Sequence, residues 1–122
     1  MKEFSRILKP GGTLIITFPY GTVVHFAPYF FSSGYSEFMF EEWCRMYGLR
    51  VLEKTYNGNY FSVLQQEMER LPGVADTYGV HMGTWDKFLA RLLRRKLRNM
   101  SMISKGSETL HCFGLFFVAE KM

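Results

Sequence analysis

This 122-residue chain has two cysteines, four prolines and three histidines, and no apolar run near the ~20 residues that a bilayer-spanning helix needs. Cys44 and Cys112 stand alone on apolar segments. That excludes a disulfide scaffold and predicts two reduced core thiols. His25, His81 and His111 are too scattered to share a zinc or facial-triad spacing with cysteine or carboxylate, so no metal site is expected. Ser32-Ser33-Gly34 and Ser104-Lys105-Gly106-Ser107 are turn sequences, and neither has the strand-serine-helix setting of a nucleophile elbow. There is no G-x-G-x-x-G, no internal repeat and no low-complexity tract. The first residues, Met1-Lys2-Glu3, lead into an amphipathic segment carrying Arg6 and Lys9 instead of a signal-peptide core, so a cytoplasmic location is expected.

What the chain does have is apolar mass. It is 48% hydrophobic and 17% aromatic, ample for the core of one domain over residues 1–122. Its most informative stretch is Glu3 to Tyr20, which predicts a helix end, a turn and a strand. Pro10 removes a backbone donor and biases Lys9 away from the helical region, so the helix stops there. Gly11 and Gly12 can take positive φ and let the chain reverse tightly. Thr13 to Phe18 is a β-branched apolar run closed by Pro19, the pattern of a strand covered on both faces. A helix feeding a parallel strand through a tight turn is the unit of an α/β sheet.

The remaining elements follow from periodicity and punctuation. Tyr20 to Gly34 is a long aromatic loop, and loops of that length in compact domains tend to be functional. Ser36 caps a helix through Tyr47 with Phe40, Trp43, Cys44 and Tyr47 on one face, and Gly48 stops it. Leu49 to Tyr56 sets Leu49 and Val51, with Leu52 as a further candidate, against Arg50, Glu53 and Lys54, a more exposed strand. Asn59 caps a helix from Tyr60 to Leu71, ended by Pro72-Gly73. The residues from Val74 to Gly83 give no clear signal. Thr84 opens a basic helix whose buried face is expected to be Trp85, Phe88, Leu89, Leu92 and Leu93. Met100 to Glu108 reads as a polar connector, and Leu110 to Glu120 as a closing apolar strand.

The Leu8-Lys9-Pro10-Gly11-Gly12 turn resembles the one that leads into the fifth strand of class I S-adenosylmethionine-dependent methyltransferases. His25-Phe26-Ala27-Pro28-Tyr29, Gly34-Tyr35-Ser36 and Asn57-Gly58-Asn59-Tyr60-Phe61 are similar to segments of a type 11/12-like subgroup of that family. The likeness covers most of the chain and is weakest between Pro72 and Gly83. It implies a partial Rossmann-like α/β sheet with flanking helices. Equivalents of strands five, six and seven would be Thr13 to Phe18, Leu49 to Tyr56 and Leu110 to Ala119. The last strand would run antiparallel between the other two.

The family's cofactor elements, a Gly-rich turn and an acidic second-strand end, have no counterpart in the chain. The resemblance therefore implies an incomplete domain, the C-terminal part of a methyltransferase, inactive alone and binding no S-adenosylmethionine by itself. Its methyl acceptor would be a small molecule. In an incomplete domain part of the aromatic load should face solvent. The alternative is a non-catalytic interaction module, pairing with itself or a partner through the exposed Thr13 to Phe18 edge.

The loop after Phe18 is the candidate substrate site, because ligands of open α/β sheets bind beyond the carboxyl ends of strands. Tyr20, His25, Tyr29 and Tyr35 supply hydroxyl and imidazole groups beside an apolar wall of Phe26, Pro28, Phe30 and Phe31. His25 is the candidate general base, since histidine changes charge near neutral pH. The competing reading has His25 bonded to a backbone group and the aromatics packing the loop down. The cationic run Arg91 to Arg98 suits an anionic membrane surface or nucleic acid, but a solvated outer face with cations near a helix C-terminus accounts for it as well. Nucleic acid is not the expected partner.

Overall fold

The computed structural model describes residues 1–25 and 27–122, which divide into two compact units. One comprises Met1–Asn57 with Phe113–Met122, and the other Gly58–Cys112. Phe26, counted above in the apolar wall, lies outside the described residues.

The first unit is a three-stranded open sheet with two helices. Helix α1 (Lys2–Ile7) stops at an extended Leu8, ahead of the proline, as expected. Gly11 takes φ 77°, and its N–H donates to the Lys121 carbonyl at 2.8 Å. Gly12 is needed for a different reason. Its N–H donates to the Lys9 carbonyl, and a Cβ there would sit 2.8 Å from that same oxygen. Strand β1 (Thr13–Pro19) then pairs antiparallel with β3 (Gly114–Lys121), which pairs antiparallel with β2 (Leu49–Asn57). The spatial order is β1-β3-β2, the order and orientation that the resemblance implies. The closing strand begins at Gly114 rather than Leu110.

Alternation divides the sheet into two faces. Leu115, Phe117 and Ala119 of β3 are buried, with Leu14, Ile16 and Phe18 of β1 beside them in register. Helix α2 (Glu37–Met46) sets Phe40 and Cys44 onto that face. Phe40 lies 4.4 Å from Phe117 and 5.1 Å from Phe18, centroid to centroid. The Ser36 side chain accepts from Met39 N–H at 3.3 Å, which caps α2 as its sequence predicts.

The other face overturns one expectation. β1 is not covered on both faces, because Thr13, Ile15 and Thr17 are exposed, Ile15 to 65%. An apolar run does not distinguish a doubly covered strand from one with a single exposed isoleucine between two threonines.

β2 departs from simple alternation. Val51 faces Ala119 while Glu53 faces Val118, so Leu52 is an extra residue in a bulge. Everything after it changes face. Lys54 and Tyr56 thereby join the inner face, opposite Phe117 and Leu115.

The second unit is a pair of long helices, α3 (Tyr60–Thr77) and α4 (Thr84–Ile103), followed by a 3-10 turn at Ser107–Thr109. Asn59 caps α3: its Oδ1 accepts from Ser62 N–H, and Ser62 Oγ takes the Asn59 N–H. Its Nδ2 also reaches the Ser101 carbonyl at 2.9 Å, while Glu69 meets Arg94 at 3.0 Å. Those two links make the helices antiparallel. Pro72 does not end α3, which continues to Thr77 with Ala75 buried. A proline removes only one helical hydrogen bond, and the helix resumes beyond it with Ala75 as the one buried residue of that turn.

On α4 the residues buried are Ala90 and Leu97, whereas Trp85, Phe88, Leu89, Leu92 and Leu93 are all about half exposed or more. Small Ala90 lets the helices approach along the side that also carries Arg94. The bulky stripe expected to be buried is left outside. Asp86 accepts from Gly83 N–H at 2.8 Å, so Gly83 rather than Thr84 stands at the cap. The helix also runs on through Met100–Ile103, where a connector was expected.

Candidate functional site

The loop leaving β1 is tied at its neck by backbone hydrogen bonds. Tyr35 N–H donates to the Pro19 carbonyl at 3.0 Å, and Thr22 N–H to the Ser33 carbonyl at 2.6 Å. Gly34 stands between them with φ 144°, its Cα so close to the chain that a Cβ would lie 2.5 Å from both the Pro19 and Tyr20 oxygens. Tyr20 N–H donates to the Phe113 carbonyl at 3.3 Å, anchoring the start of the loop to the residue before β3.

This geometry sorts the four residues singled out by sequence. Tyr20 and Tyr35 belong to the neck. The Tyr35 ring packs edge-on against Trp43 at 5.2 Å and Phe18 at 6.3 Å. His25 and Tyr29 belong to the outer arch and are exposed, Tyr29 to 77%. His25 Nδ1 lies 2.9 Å from the Val23 carbonyl. A carbonyl only accepts, so Nδ1 carries the hydrogen and Nε2 is the basic nitrogen of the neutral ring. The ring also meets Phe30 edge-on at 5.1 Å. Phe31 points to solvent, 89% exposed, and forms no wall.

An open groove of about 560 Å³ lies at the carboxyl ends of the two parallel strands, β1 and β2. Thr17 and Pro19 line it from β1, Thr55 and Asn57 from β2, and Phe113 and Phe116 from the β3 side. No charged side chain lines it. It offers hydroxyl, amide and aromatic surface, and no acid or base. Among the described residues no three of His, Cys, Asp and Glu cluster as metal ligands.

The charged chemistry of this unit lies instead on the inner face, in residues that the sequence reading passed over. Glu37, at the first turn of α2, is 3% exposed. Its Oε2 accepts from Tyr56 hydroxyl at 2.5 Å and from Lys54 Nζ, which also reaches Glu41 at 2.9 Å. Burial alone would raise the Glu37 pKa, but the Lys54 and Tyr56 donors outweigh it and hold the carboxyl below its usual range. The Glu37 hydrogen bond holds Lys54 protonated despite partial burial. Burial and the same carboxylate keep Tyr56 protonated.

All three groups are thus locked in one charge state through neutrality. The cluster is a strut between α2 and β2, not a proton relay. Sequence parity hid it: read without the bulge, Lys54 alternates onto the outside.

This lock has a pH signature. A carboxyl depressed on folding adds stability above its unfolded pKa, and that stability is lost as pH falls through the folded value. Glu37→Gln is expected to cost about 1–2 kcal/mol at neutral pH, below the full cost of breaking a buried pair because Lys54 keeps Glu41. The difference from wild type should shrink as pH drops below the ordinary carboxylate range. Urea unfolding of both proteins across that acid window checks it, and a pH-independent difference would contradict the assignment.

Cys44 is buried on α2, its thiol pushed up to about 11, first by burial and then by Glu41. It is therefore no nucleophile at neutral pH. Cys112 is buried as well, and neither cysteine is in a disulfide. No helix among the described residues is long and apolar enough to cross a membrane. Comparison with protein-family models, with curated proteins and with solved structures returns no match to this chain.

Proposed function

We propose that the chain is the C-terminal portion of an S-adenosylmethionine-dependent methyltransferase, supplying the substrate-side loop and sheet edge and inactive by itself. The observation that carries this reading is the sheet order β1-β3-β2, with the closing strand antiparallel between two parallel ones and the Lys9-Pro10-Gly11-Gly12 turn opening the first. Its placement of the tied loop at the carboxyl end of β1 supports a substrate role for Tyr20, His25, Tyr29 and Tyr35.

The residues present do not fit the cofactor. The groove at the strand ends holds no carboxylate for a ribose and no Gly-rich turn for the amino-acid end. What this chain contributes is orientation of a small methyl acceptor by tyrosine hydroxyls, with His25 Nε2 as the base where a proton must leave.

Titration calorimetry tests the reading. S-adenosylmethionine should show no micromolar binding to this chain. Binding should appear when the chain is fused behind a segment carrying a Gly-rich strand-turn-helix and an acidic second-strand end. Binding by the chain alone would sink the claim that the cofactor site lies elsewhere, and a silent fusion that folds would sink the lineage.

A second reading, an interaction module, is favoured by one observation: β1 is an edge strand with Ile15 exposed to 65%. A clean monomer by sedimentation at high concentration would count against it.

A further inference from the structure

Helix α4 concentrates the charge of the molecule. It carries six cations, Lys87, Arg91, Arg94, Arg95, Lys96 and Arg98, against one carboxylate, Asp86. The nine cations and ten carboxylates elsewhere nearly cancel, so the net charge of +4 resides on this helix. Arg94 pairs with Glu69, and among the described residues no other cation of α4 is in an ion pair. Arg91, Arg94, Arg95 and Arg98 line a groove of about 520 Å³ along α3 and α4, with Phe88 and Leu92 on its wall and Glu69, the partner of Arg94, as its one carboxylate.

Beside those cations the helix presents bare apolar bulk. Trp85 is 76% exposed, Leu89 57% and Phe88 51%. At 100° per residue, Trp85, Phe88, Leu89 and Leu92 fall on one arc, crossed by the single cation Lys96, and Arg91, Arg95 and Arg98 fall on the neighbouring one.

The two arcs together select the occupant. A merely solvated cationic face would not place tryptophan and leucine in water. A nucleic acid would satisfy the arginines and leave the apolar arc wet. A second copy of the helix would cover the apolar arc but bring six further cations against the first six. An anionic lipid surface satisfies both arcs. Phosphate and carboxylate headgroups meet the arginine forks, and the boundary beneath them takes Trp85, Phe88 and Leu89.

We propose that the α3–α4 unit docks on an anionic lipid surface, with α4 lying in the plane of the interface and headgroup phosphates seated in the arginine groove. The apolar arc enters only the headgroup boundary, which is compatible with a helix too polar to span. Charge brings the protein to the membrane, and the apolar arc holds it there.

Cosedimentation of the full chain with vesicles tests this. Binding should be strong to phosphatidylcholine vesicles containing phosphatidylserine, weak to phosphatidylcholine alone, and reduced by salt. Trp85 emission should shift to the blue and be quenched by brominated acyl chains, and Trp85→Phe should abolish both signals. The double variant Arg91→Glu/Arg95→Glu should weaken binding roughly tenfold or more. Phe88→Ser/Leu89→Ser should do so independently. All four positions are exposed, so helical circular dichroism should be preserved. If one variant misfolds, the other and the Trp85 signals still decide.

Absence of binding to phosphatidylserine vesicles at low salt would overturn the proposal. Vesicle binding that leaves Trp85 in water would also overturn it. Salt-sensitive RNA binding without vesicle binding would reassign the face to nucleic acid, and a dimer that ignores vesicles would reassign it to self-association.

Discussion

Phe117→Ala is expected to lower the unfolding free energy by about 3–5 kcal/mol, a large share of the 5–15 kcal/mol typical of a domain. Phe117 is fully buried on the central strand, with Phe40 at 4.4 Å and Phe18 stacked at 5.6 Å. It therefore joins β1 to α2 through one ring. Truncation removes its transfer energy and leaves a cavity that three elements would have to close. Phe116, the next residue along, points to the opposite face and is 37% exposed. Phe116→Ser should cost about 1 kcal/mol or less. Urea unfolding followed by circular dichroism measures both. Equal losses for the two variants would mean that the outer face of the sheet is a core as well, and the division into a covered and an exposed face would fail.

That contrast also marks where sequence reasoning succeeds and stops. Element order is legible because it depends on local punctuation: Pro10 ends α1, Ser36 caps α2, Asn59 caps α3, and each acts within a few residues of itself. Strand order comes from the likeness of the Pro-Gly-Gly turn and the closing strand to a known arrangement, and no local propensity contains it.

Burial is where the reading fails, because burial is decided by partners distant in sequence. Ile15 and Leu89 are as apolar as Ile16 and Leu97, and nothing in their neighbours says that the first of each pair lies outside. The Leu52 bulge has no sequence mark either. It shifts the register of β2 against β3 by one residue, and it carries Lys54 and Tyr56 onto Glu37. In the loop, sequence singles out four polar aromatic residues together. The backbone divides them into an anchored pair, Tyr20 and Tyr35, and an exposed pair, His25 and Tyr29.

The same loop carries the second large effect. Gly34→Ala is expected to cost about 2–5 kcal/mol, combining the strain of a non-glycine residue at positive φ with the cost of overpacking. At φ 144° the backbone lies outside the region that an L side chain tolerates, and the added methyl would meet two carbonyl oxygens at 2.5 Å. Neither oxygen can retreat cheaply. Pro19 accepts from Tyr35 N–H and ends the pairing of β1 with β3, while Tyr20 is held through its own N–H to Phe113. The neck would have to open, releasing the Thr22 and Tyr35 amides. A leucine or serine at exposed Phe31 leaves the neck untouched and should change stability by only about 0.5 kcal/mol.

Amide hydrogen exchange separates the neck from the arch. Protection at Thr22 and Tyr35 should be present in the wild type and in the Phe31 variants, and lost in Gly34→Ala. If the Gly34 variant keeps both protected amides and its unfolding midpoint, the loop is held by its side chains, and the neck has no part in positioning His25 and Tyr29.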